Sequence, residues 1–251
     1  MKYIHTGQPW LDRLIPQGLP THTSTLISGP DGSGKPLIGE AFVAAWLRQG
    51  GSVIFMSLQY PKREFISTSL QTVAELDISD YAGQVAFIEL DATLESMDAP
   101  IDNGFKANLV QPSVWDASVE QACSLVPESG PGILVFGSAL NLLLFSPTYG
   151  DEVHESMLKT IRADKRRTYI FSVSTSAKKE KIAQLEQAAD NLIMSYSQKN
   201  PFRLYMRIVR LKDTPFITDE VLVPIPSGAL GEVKEVAEHS RKRVIPLISK
   251  I

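Results

Sequence analysis

The residues best equipped for chemistry lie in "GPDGSGKP", Gly29 to Pro36. Up to Lys35 the stretch has the spacing G-x-x-x-x-G-K of a loop that wraps phosphate. Gly29, Gly32 and Gly34 let backbone N–H groups turn inward on an anion, with Asp31 and Ser33 between them, and Lys35 supplies a point charge. The motif continues with Ser or Thr, whose hydroxyl holds Mg²⁺; here the residue is Pro36. Proline is tolerated in the first turn of a helix, so the loop keeps its shape while the metal ligand is lost.

Such a loop must join a strand to a helix. "STLISG", Ser24 to Gly29, is a short apolar run that reads as a buried strand. From Pro36 the pattern turns helical, with Leu37, Ile38, Ala41, Phe42, Ala45 and Trp46 on one face, until Gly50 and Gly51 end it. Further strands are expected at Ser52–Leu58, Gln84–Leu90, Gly132–Ser138 and Thr168–Ser174. Helices are expected at Pro61–Leu76, Ser113–Val126, Asp151–Arg162 and Ile182–Ala189, and Ser113 with Asp116 has the look of a capping box. "NLIMSYS", "FRLYMRIVRL" and "VLVPIP" suggest a closing antiparallel meander. Strands alternating with helices imply a mostly parallel sheet, covered on both faces. One α/β domain spanning residues 1–251 is expected, with a polar insertion or loop near 91–112 and a basic tail at 239–251.

Hydrolysis of a nucleotide needs more than the loop. An acid that binds Mg²⁺ should end the strand "ILVF", but Gly137 and Ser138 follow it. A carboxylate that activates water should follow "VIFMSL", but Gln59 and Tyr60 stand there; glutamine orients water and cannot take its proton. Three positions, Pro36, Gln59 and Gly137, thus lack the group that hydrolysis requires.

With these segments in order, the chain resembles the RecA-like P-loop ATPases of the KaiC type. "LDRLIPQGLPTHTSTLISGPDGSGK" is similar to their opening, "GGSVIFMSLQY" to their next strand, and "GILVFGSALNLL" to their metal-binding strand, with Gly137 at the Asp position. "AQLEQAADNLIMS" is similar to the stretch where an Ala-Asp pair precedes an edge strand, and "LYMRIVRLKDTPF" to their closing hairpin. The resemblance covers roughly residues 7–225 and implies a RecA-like three-layer fold, a mostly parallel sheet with a C-terminal antiparallel hairpin. It also implies that a Lys-x-Arg pair, present here as Arg210 and Lys212, contacts the phosphate of a neighbouring subunit's nucleotide.

The expectation is a catalytically inactive relative, a scaffold or regulatory partner, assembled with itself or with a RecA- or KaiC-like paralogue. No cofactor is required and no metal is expected; ATP, ADP or a phosphate or sulfate anion is expected to bind weakly, without Mg²⁺, or not at all. Two alternatives stay open. A recombination paralogue that binds single-stranded DNA would use "DKRR" (Asp164 to Arg167) and "HSRKR" (His239 to Arg243), although the net charge of −3 does not favour nucleic acid. An ATPase with rebuilt metal ligands would draw on Asp31, Glu40 or Glu64. The four histidines (His5, His22, His154, His239) and Cys123 show no metal-binding spacing. A single cysteine, no signal-peptide pattern and no apolar run of about 20 residues point to a cytoplasmic protein without a membrane anchor.

Overall fold

The apolar runs at Ser24–Gly29, Ser52–Ser57, Ile133–Gly137 and Thr168–Ser174 become strands buried on both faces. The computed structural model describes residues 2–58, 63–225, 229, 235 and 238–251. In chain order the strands are β1 (Tyr3–Ile4), β2 (Leu19–Pro20), β3 (Ser24–Gly29), β4 (Ser52–Ser57), β5 (Val85–Leu90), β6 (Gly104–Ala107), β7 (Ile133–Gly137), β8 (Thr168–Ser174), β9 (Asn191–Lys199), β10 (Phe202–Arg210) and β11 (Val221–Val223). The helices are α1 (Pro9–Asp12), α2 (Lys35–Arg48), α3 (Arg63–Ala74), α4 (Pro112–Ser124), α5 (Gly150–Ala163), α6 (Lys179–Ala188) and α7 (Ile245–Ile248). The expected helix at Pro61–Leu76 begins at Arg63, its first two residues and Gln59 lying outside the described residues.

β1 and β2 pair with each other, and the other nine strands form one sheet in the order β11-β10-β9-β3-β8-β7-β4-β5-β6. From β9 to β6 every pairing is parallel, and β10 alone runs the other way, antiparallel to β9 on one side and to β11 on the other. This is the mostly parallel α/β sheet with an antiparallel hairpin that the sequence suggests. β9, β10 and β11 form the expected closing antiparallel meander, which β9 joins to the parallel part by pairing with β3.

Three local expectations change. Residues 91–112 are not loop throughout: Gly104–Ala107 pairs in parallel with β5 as the sheet's edge. Phe105, Ala107, Leu109 and Val110 are buried there, an apolar set masked in the sequence by the polar stretch before it. α4 starts one residue early, with Pro112 in its first turn and Gln111 at the N-cap, and no side chain caps it. Ser113 is therefore inside the helix and forms no capping box. Finally, α2 is buried along nearly its whole surface, from Leu37 to Leu47, not on one face alone. A helix apolar all round belongs in a core. The sheet covers one side, and Ile4, Leu11, Leu14, Ile15 and Leu19 of the N-terminal segment share its apolar cluster.

Close packing of α2 on the sheet depends on Gly39, where an added Cβ would overlap the Phe136 ring of β7. That ring is held edge-on against Phe55 at 6.0 Å between centroids. Gly39→Val should lower stability by about 2 kcal/mol through overpacking. Urea unfolding measures this, and a loss near zero would show that Phe136 yields freely.

Candidate phosphate-binding site

β3 ends at Gly29, and the chain turns through the loop into α2 without a side-chain cap. Gly34 is the N-cap residue, with φ 68° and ψ 19°, a left-handed conformation that glycine adopts without steric cost. Lys35 opens α2 and Pro36 lies in its first turn, where proline has no helical hydrogen bond to lose. The loop thus has the strand–turn–helix form that a phosphate cradle needs. Its backbone N–H groups sit at the N-terminus of a helix of 14 residues.

The loop is held from two sides. On one side, the Ser174 hydroxyl at the end of β8 donates to Asp31 Oδ1 at 2.5 Å, and the Asp31 N–H donates to Ser176 Oγ at 3.0 Å. On the other side, Ser33 and Ser195 of β9 share a hydroxyl hydrogen bond of 2.8 Å. Gly29 passes so close to β9 that a Cβ would overlap the Ser195 carbonyl oxygen. Lys35 folds over the loop and donates to the carbonyls of Pro30 at 2.7 Å and Gly29 at 3.1 Å, and to Ser33 Oγ at 3.3 Å. Its side chain is buried. Burial lowers the ammonium pKa to about 8, against the opposing pull of Asp31. At neutral pH the loop still carries its cation.

The position expected to hold the metal acid is occupied differently. A Cβ on Gly137 would lie 3.0 Å from the Phe171 ring and 3.1 Å from a Leu140 methyl. Any side chain there would start tightly against these two apolar groups. Asp31, Glu40 and Glu64 do not come together. Asp31 accepts from Ser174, Glu40 is buried against α3 and accepts the Ser69 hydroxyl at 2.5 Å, and Glu64 is exposed on α3. Among the described residues, no group of three or more His, Cys, Asp or Glu gathers where a metal ion could be held.

Arg210 and Lys212 stand at the far end of the hairpin and are engaged within their own chain. Arg210 donates to the carbonyls of Ala189, at 2.7 Å, and of Glu186 at the end of α6. Lys212 pairs with Asp190 at 3.2 Å, and Lys165 pairs with the same carboxylate. Burial works against ionisation of Asp190, but hydrogen bonds from Lys165 and the Ser24 N–H hold it below the usual carboxylate range.

The basic run "DKRR" is likewise neutralised. Arg166 and Arg167 each pair with Glu120 at 2.6 Å, and Arg167 also pairs with Asp164 at 3.1 Å. In the tail, Lys242 pairs with Glu238 at 3.1 Å and Arg241 lies 3.6 Å from Asp31. His154 is buried with its Nε2 on the Lys181 carbonyl. Cys123 packs against the core, where burial pushes its thiol pKa up to about 11.

Reading the loop alone misses Ser172, Ser174, Ser176, Asn141 and Arg241, all of which line the cavity beside it. The serines had a signal: "SVSTS" places polar groups with a period of two at the C-terminal end of a strand, where open α/β sheets bind ligands. Arg241 had none, because its approach depends on how the tail returns.

A family model described as the KaiC ATPase matches residues 4–231, and the chain belongs to that family. Part of it is similar to the circadian clock protein KaiC3 of Synechocystis sp., at 27% identity over 101 residues. That match covers 40% of this chain and 20% of the clock protein, so the chain accounts for a minor part of that relative's length. The fold is shared with a KaiC-like protein from the archaeon Pyrococcus horikoshii OT3, with a TM-score of 0.64 at 17% identity, over 88% of this chain and 93% of the other. Among the described residues, no helix is long and apolar enough to cross a membrane.

An anion at the loop would favour protonated Lys35, so its binding takes up a proton above the pKa of about 8. Affinity for inorganic pyrophosphate should therefore fall as pH rises from about 7 to about 9.5. Calorimetric titration at several pH values measures this, and a flat profile would show that Lys35 does not face the anion.

Proposed function

We propose that this chain is a KaiC-family protein that keeps the phosphate cradle and has lost hydrolysis. It acts as a scaffold or regulatory partner whose loop takes nucleotide phosphates or a free oxyanion weakly and independently of Mg²⁺. The observation that carries the reading is Gly137 itself: it offers no carboxylate, and even a Cβ there would press on Phe171 and Leu140. Pro36 removes the second oxygen ligand, and Mg²⁺ demands near-octahedral oxygen coordination. Gln59, the third substituted position, lies outside the described residues, and its chemistry alone supports the same reading.

The two other readings have less support. An ATPase with rebuilt ligands needs a carboxylate cluster, and Asp31, Glu40 and Glu64 are each engaged or placed apart. A single-strand DNA binder needs free cations along a backbone track. Lys165, Arg166 and Arg167 are instead matched by Asp190, Glu120 and Asp164. Assembly with a second copy or a paralogue remains part of the proposal. In it, a neighbour's phosphates would have to draw Arg210 and Lys212 away from α6 and Asp190.

A phosphate-release assay under multiple turnover, with ATP and Mg²⁺, tests the proposal. Release should stay at the level of the Lys35→Ala variant. Turnover by the parent chain that disappears in Lys35→Ala would overturn it.

A further inference from the structure

The cavity beside the loop is closed on one side by the chain's own C-terminal segment. After the edge hairpin the chain returns as a wide helical turn, Ser240–Val244, followed by α7. Ser240, Arg241 and Ile245 line the cavity together with Asp31 to Pro36 of the loop. The space that remains is about 130 Å³. Pockets for drug-sized ligands run from about 300 to about 1,000 Å³. With the tail in place, the cradle has room for an oxyanion but not for a nucleoside attached to it.

The tail is held by apolar packing and by charge. Ile248 is fully buried in the core cluster that also contains Leu140, Leu142, Leu143 and Leu144. Val244, Ile245 and Ile251 pack against that cluster only in part. Arg241 faces Asp31 across 3.6 Å, with both side chains largely exposed, a weak pairing in water. Arg243, Pro246, Leu247, Ser249 and Lys250 face solvent. Among the described residues of the tail, Ser240 and Ile248 are buried and Arg241 makes a loose ion pair, an attachment small enough beside the main core to open without unfolding the sheet.

We propose that the segment from Ser240 to Ile248 is a built-in plug of the phosphate cradle, so that tail docking and nucleotide binding exclude each other. The proposal rests on the reading of the loop as a surviving phosphate cradle. Asp31 then has two roles: it fixes the loop to β8 through Ser174, and it offers the tail a carboxylate to pair with. If the undocked state makes up about 1–10% of the population, the plug weakens apparent affinity by about 10- to 100-fold.

The test compares the full chain with a chain that ends at Glu238, titrating both with ADP in the absence of Mg²⁺. A second measurement needs no variant: trypsin cleavage after Arg241, Lys242 and Arg243 of the full chain, with and without saturating ADP. The truncated chain should bind ADP at least about tenfold more tightly. ADP should speed cleavage in the tail. Equal affinity of the two chains, or cleavage unchanged by saturating ADP, overturns the plug. If that equal affinity is abolished by Lys35→Ala, the cradle stands and only the plug falls. If neither chain binds ADP or pyrophosphate, both readings fall together.

Discussion

The approach of β9 to the end of β3 is the constraint from which the site follows. At Gly29 the two backbones lie so close that even one carbon would overlap the Ser195 carbonyl oxygen. Ser195 then reaches Ser33 inside the loop, and the loop has little freedom to collapse. On the opposite side, Ser174 and Ser176 grip Asp31 from the end of β8. The loop is therefore held by the two strands that flank β3. The sheet itself maintains its shape, so the shape does not depend on the residues at positions 36 and 137.

In the proposed reading, loss of the metal site has a different physical origin from preservation of the loop. Pro36 changes a ligand without changing the backbone, since the first helical turn accepts proline. Gly137 would change a ligand and its surroundings together: Phe171 presses on the position, held edge-on to Trp115 and tilted against Tyr169. Regaining an acid at residue 137 requires that aromatic group to repack and a charge to be buried among apolar side chains. Lys35 shows the complementary effect. With carbonyl oxygens of the loop as its partners, it stays buried and cationic near neutral pH, ready to exchange those carbonyls for an anion.

Much of this was legible in the sequence, and the failures have common causes. β3, β8 and the loop between β3 and α2 match the residues because continuous apolar runs and glycine punctuation are local signals. β6 was hidden because an edge strand needs only one buried face, and its Phe105 and Ala107 follow a polar stretch. The apolar filling next to Gly137 was invisible because Phe171 arrives from a strand 34 positions later in the register of β7 and β8. For Arg210 and Lys212 the resemblance implies a neighbouring subunit's phosphate as partner. Their partners at the end of α6 depend on tertiary packing that no spacing encodes. The tail was legible only as a cluster of charges, while its anchor, Ile248, is a single isoleucine in a short apolar end.

The claim at the centre of this account is that the cradle is intact and the metal site is not. Calorimetric titration of the full chain and of a chain ending at Glu238 with ADP, each with and without Mg²⁺, addresses both halves at once. The account predicts measurable binding to the shortened chain that requires Lys35 and changes by less than about twofold when Mg²⁺ is added. Affinity that rises by an order of magnitude or more with Mg²⁺ would mean that the chain holds the metal through ligands other than those at residues 36 and 137, and would contradict it.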